Sequence, residues 1–269
     1  MLFRSTLRPA LRLAFRARFL SFSLWLAIAL AIAVPLAANF SGRQPATVGL
    51  DVGLSLIRLA LPVLTVLLLQ ELVCREFDRK LFLLSLTYPR ARHSFLFGRV
   101  AAIGLLLAGL LVILAILLAG LVAWIGHGYA QATPPALGLP YALTIAFIAL
   151  DLVAGLALGT LLAVVASTPA FVLIGTLGFM LMARSFSAMV ALLEQDTTLV
   201  SHAEAYQSSL GMLGLLLPDL GALDVRMVAL YGHWSLLPAN WAQSALATLA
   251  YAAALLGLAV WALNRKRLA

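Results

Sequence analysis

Long apolar stretches alternate with short charged ones along this chain. No Asp, Glu, Lys or Arg occurs in residues 19–42, 100–150, 152–183 or 227–264. Crossing the hydrocarbon core of a bilayer takes roughly 20 apolar residues, so several of these runs are long enough for more than one crossing. Breakers divide them. Gly126, Gly128, Pro134, Pro135 and Pro140 interrupt the longest run, because proline lacks an amide donor and glycine loosens the backbone. Ser167, Thr168 and Pro169 mark the next turn. Within lipid every backbone group must be satisfied inside its own segment, so each remaining piece is a helix. The pattern predicts an all-α membrane protein, a single transmembrane domain over 1–269, with about six transmembrane helices near 20–40, 52–73, 100–125, 141–166, 170–193 and 241–263.

The flanks of these spans have patterns of their own. Arg4, Arg8, Arg12 and Arg16 recur beside Phe3, Leu7, Leu11 and Phe15, which predicts an amphipathic helix over 1–19 lying along the headgroups. The segment 194–240 is too polar at its start to span, and its apolar middle, 210–217, is too short to cross before Pro218 and Asp219 end it. A re-entrant or interfacial helix on the outer side is expected there.

Composition sharpens the class. Hydrophobic residues make up 64% of the 269 and charged residues only 10%, against roughly 25% charged in a soluble domain. That excludes a soluble enzyme and a nucleic-acid binder. The net charge of +8 is a topology signal: five arginines precede the first span, six cations lie between Arg75 and Arg99, and Arg265, Lys266 and Arg267 follow the last. With six spans these fall on one side, so the positive-inside rule puts both termini and the 75–99 loop in the cytoplasm. Asp51, Glu194, Asp196, Glu204, Asp219 and Asp224 then fall on the outer side.

Catalytic chemistry is absent from the pattern. There is no phosphate-cradling Gly-x-x-x-x-Gly-Lys-Ser/Thr loop, and the two lysines, Lys80 and Lys266, stand in other contexts. His93, His127, His202 and His233 lack metal-ligand spacing, and Cys74 is the only cysteine, so no cysteine cluster or internal disulfide forms. No enzyme activity, metal or cofactor is expected in the chain itself.

The loop over 74–98 is the most informative stretch. Glu76, Phe77, Asp78 and Arg79 open it, an apolar run with Leu83 and Leu84 follows, and Tyr88-Pro89 ends that run before a basic turn and Gly98-Arg99. A charged helix start followed by an apolar face suits docking of a cytoplasmic partner. The order of an acidic pair, an apolar run, a proline, a basic turn and Phe-Leu-x-Gly-Arg resembles the cytoplasmic gate region of ABC-2 type transporter permeases. There the corresponding loop contacts the ATP-binding subunit. On that resemblance Glu76 and Asp78 stand for the acidic pair, Pro89 for the proline and Gly98-Arg99 for a closing Gly-Lys; Lys80-Leu81 departs from the family's Gly-Thr. The resemblance implies the permease subunit of an ATP-driven exporter in the bacterial inner membrane. It also implies a second permease chain, identical or similar, and a cytoplasmic ATPase subunit that holds the ATP and magnesium. Surrounding lipids are the remaining partners, with no nucleic acid.

Two charges fall inside predicted spans, Asp151 in the fourth and Arg184 in the fifth. Ionisable groups at membrane depth mark structure or function by their cost. These are expected either to form a structural charge pair or to line a translocation path. Arg58, near the outer end of the second span, is expected to snorkel toward the headgroups. Gly155 and Gly159 present a small-residue face suited to close helix packing or to a dimer contact. Two other classes stay open: a membrane scaffold or assembly protein that transports nothing, and a secondary carrier with paired repeats.

Overall fold

The computed structural model describes residues 19–75, 92–128, 131, 133–166, 168–195 and 218–265, with backbone only at 92, 93 and 186–195. Among them the chain is helical, without strands. The elements are α1 (Phe19–Phe40), α2 (Pro45–Leu69), α3 (Arg92–His127), α4 (Leu139–Val165), α5 (Pro169–Gln195), α6 (Arg226–Tyr231) and α7 (Trp241–Arg265). A π-helical turn, Gln70–Cys74, extends α2, and a 3-10 turn, Trp234–Leu236, lies between α6 and α7. The helices Phe19–Phe40, Pro45–Cys74, Ser94–His127, Leu139–Val165 and Trp241–Arg265 are each long and apolar enough to cross a membrane. The part of α5 with described side chains forms a shorter apolar helix, Pro169–Ser185. This is the build of a membrane protein.

Proline sets several boundaries. Pro45, Pro140 and Pro169 each stand in the first turn of a helix, where the missing amide would have no partner anyway. Pro45 therefore starts α2 seven residues before the expected position 52, and Asp51 sits inside the helix instead of at its end. α3 is longer than expected because residues 92–99 continue into it without a break. Of the expected segments, 1–18, 76–91 and 196–217, the last with the apolar middle 210–217 of the expected re-entrant or interfacial helix, lie outside the described residues.

α2 is the central helix, packing on α1, α3, α4 and α5, with Leu50, Ile57, Leu61, Leu69 and Leu72 fully buried. α4 lies between α2, α5 and α7. The outward surface is as greasy as the core: Trp25, Ile32, Ile116, Ile174 and Leu246 are all exposed. Helices apolar all round suit a hydrocarbon surround. Three of the buried threonines, Thr65, Thr160 and Thr248, satisfy their hydroxyls locally by donating to the carbonyls of Leu61, Leu156 and Ser244. That leaves Asp151 as the one fully buried charged residue among those described.

Gly155 and Gly159 point into the bundle. A Cβ at Gly155 would come within 2.7 Å of the Met180 sulfur on α5, and one at Gly159 within 2.4 Å of Leu69 on α2. Both glycines thus lie against side chains of their own chain.

Candidate functional site

Six charges from five parts of the chain line up between the exposed end of the bundle and its core. At the rim, Arg226 on α6 reaches Asp51 on α2 at 3.0 Å and donates to the Ser55 hydroxyl at 2.9 Å. Arg226 also faces Asp224 at 3.5 Å. Asp224 in turn binds Arg58 of α2 at 2.5 Å. Arg58 lies 3.7 Å from the Asp151 carboxylate on α4, and Arg184 of α5 donates a hydrogen bond to the same carboxylate. Side-chain exposure in this ladder falls from 45% at Asp51 to 14% at Arg58 and 1% at Asp151, and is 21% at Arg184.

The register follows from helix lengths. α4 and α5 are joined across residues 166–168 and run antiparallel. Asp151 stands fourteen residues before the end of α4 and Arg184 fifteen after the start of α5, so both lie about 21 to 22 Å from the shared turn at 1.5 Å per residue. They are level, and they pair. On α2 the expectation that Arg58 snorkels outward is corrected. It turns inward, because an opposite charge on each side outweighs a trip to the headgroups: Asp224 above and Asp151 below.

A proline completes the geometry. Pro62 follows Arg58 by four residues and has no amide, so the Arg58 carbonyl loses its helical donor. Arg184 supplies the replacement, donating to that carbonyl at 3.3 Å while it holds Asp151. α2 and α5 are tied again near their other ends, where the Gln70 side chain in the π turn donates to the Pro169 carbonyl at 2.9 Å.

The connection 218–225 closes the top. Leu220, Leu223, Val225 and Val228 form an apolar cluster with Phe147, Ala154 and Ala183 of α4 and α5. Arg58 donates to the Leu220 carbonyl at 3.1 Å, and the Thr144 hydroxyl contacts the Val225 carbonyl at 3.4 Å. Non-helical backbone among spanning helices is tolerated where protein buries it, as here. Between this connection, α2 and α4 remains a void of about 10 Å³ lined by Ser55, Arg58, Thr144, Asp224 and Arg226, room for about one water. A larger cleft of about 570 Å³ lies apart from the ladder, between α1, the start of α2 and the end of α3, with Asn39, Ser41, Trp124 and His127 on its walls.

The structure thus brings Asp151 and Arg184 together and places Gly155 and Gly159 one and two turns further along the same helix. Glu76, Phe77, Asp78, Arg79, Leu83, Leu84 and Pro89 lie outside the described residues. Sequence reasoning missed Arg58, Asp224, Arg226 and Asp51 as one set. The available signals were Arg58 four residues before Pro62 and the opposite charges at 224 and 226 in an otherwise apolar neighbourhood. The chain matches no protein-family model, and no curated protein is similar enough to stand as a relative.

Proposed function

We propose that this chain is the permease subunit of an ATP-driven transporter of the ABC-2 type, an exporter of the bacterial inner membrane. In this reading α5 also crosses, as the fifth of six spans, both termini are cytoplasmic, and two permease chains work with separate ATPase subunits that bind ATP and magnesium. The observation that carries it is the loop signature between α2 and α3, with Glu76 and Asp78, then Pro89, then Gly98-Arg99.

The ties between α2 and α5 support the reading by offering a route for force. A displacement of the loop acts on the π turn at Gln70–Cys74, which follows α2 directly and is bonded to the first residue of α5. Both helices meet again at Arg58 and Arg184, about 18 Å further along α2 at 1.5 Å per residue. Movement at the ATPase face would therefore be felt at the charge ladder by two helices at once. The secondary-carrier reading draws on the same ladder, but its three carboxylates face three guanidiniums, which favours a structural or gating use over ion carriage.

Affinity purification of the tagged chain in mild detergent, followed by partner identification and an ATPase assay, tests the proposal. A nucleotide-binding ATPase recovered with the wild type and lost with Glu76→Lys plus Asp78→Lys is the expected result. Purification without any ATPase would leave the scaffold and carrier readings in its place.

A further inference from the structure

The inner members of the ladder do not balance. Arg58 and Arg184 share the one carboxylate of Asp151, so the floor bounded by α2, α4 and α5 carries an excess positive charge. Net charge in a low-dielectric surround is costly. The anion that offsets it is Asp224, which belongs to the connection 218–225 and not to the long helices.

That connection satisfies much of its backbone on itself. The amides of Leu220, Asp224 and Val225 donate to the carbonyls of Pro218, Gly221 and Leu223, and the Ala222 amide donates to the Asp219 carboxylate. It is fastened to the bundle by Leu220, Leu223 and Val225 in an apolar pocket, by the Thr144 hydroxyl on the Val225 carbonyl, and by the Asp224 carboxylate and the Leu220 carbonyl on the Arg58 guanidinium. Arg58 is therefore met by an anionic group with apolar groups beside it.

We propose that Arg58 is the head-group seat of a binding site for an apolar molecule with a carboxylate or phosphate head, and that Asp224 with Leu220 and Leu223 is its resident occupant. The guanidinium fork matches either oxyanion, whereas a cationic or neutral head would leave the floor with its excess charge. Ser55 and Thr144 bring hydroxyls to the rim of the seat. An incoming head displaces Asp224, which retains Arg226 beside it at 3.5 Å, so the exchange strands neither anion. That this seat receives the transported cargo rests on the permease reading; the binding itself does not.

The test is direct binding of isotope-labelled dodecyl phosphate and dodecanoate to the purified full chain in phosphatidylcholine nanodiscs, with dodecyltrimethylammonium as control. The wild type binds the two anions saturably and the cation not at all. Asp224→Asn binds the anions about tenfold tighter, as expected if the resident leaves the seat free about a tenth of the time. Arg58→Gln weakens binding at least about tenfold, and Arg58→Lys, which keeps the charge and guards against a folding artefact, loses more affinity for dodecanoate than for dodecyl phosphate. Equal affinities in the wild type and Asp224→Asn, or full affinity in Arg58→Gln, would overturn the proposal. No ATPase enters this assay, so failure to recover an ATPase sinks the permease reading alone, and failure of binding sinks the seat alone.

Discussion

Arg184 and Asp151, 33 residues apart in sequence, meet in the core of the bundle, and the same guanidinium takes the Arg58 carbonyl that Pro62 leaves without a donor. One side chain thereby joins α5 to α4 and to α2. Breaking this junction should be felt more than breaking any other ion pair among the described residues.

Removing one partner of a buried pair strands the other, at a cost of about 3–5 kcal/mol, whereas an exposed pair contributes about 1 kcal/mol or less. Asp151→Leu should therefore lower thermal stability in detergent far more than Asp51→Ala. Asp151→Leu combined with Arg184→Met should recover part of the loss. Equal melting shifts for Asp151→Leu and Asp51→Ala would show that the inner pair is not buried in solution.

Salt separates the two ends of the ladder. At 1 M salt the screening length falls to about 3 Å, which reaches exposed charges and spares buried ones. The stability loss of Asp51→Ala, whose side chain is 45% exposed, should shrink at high salt, and that of Asp151→Leu should persist. Thermal unfolding at 0.1 M and 1 M salt reads both; a salt-independent Asp51→Ala effect would contradict the rim assignment.

Gly155 and Gly159 face Met180, Leu69 and Thr176 of their own chain. Gly155→Leu and Gly159→Leu should each destabilise the monomer by about 1–3 kcal/mol through overpacking. A variant that melts like the wild type but loses its oligomeric state on a sizing column would instead make this face a contact between copies.

Pro62→Ala restores an amide that competes with Arg184 for the Arg58 carbonyl. The substitution should make Arg184→Gln less damaging than it is in the wild type, a coupling of about 0.5–1 kcal/mol in a double-mutant cycle. Additive losses would mean that Arg184 does not depend on the missing helical bond.

Membrane character and most helix positions were legible in the sequence because they are local properties. A charge-free run such as 100–150 is apolar wherever its neighbours lie, and Pro140 and Pro169 begin helices by their own covalent geometry. Asp151 and Arg184 stood out for the same reason, as isolated charges in apolar runs. The direction of Arg58, the joining of Asp224 and Arg226 to the ladder and the inward face of Gly155 and Gly159 were decided only by tertiary structure. Arg226 pairs with a carboxylate 175 residues away, and Arg58 hydrogen-bonds a carbonyl 162 residues away. Hydropathy sets each helix in the bilayer, but it leaves helix rotation and neighbours to packing and to pairing of the buried charges.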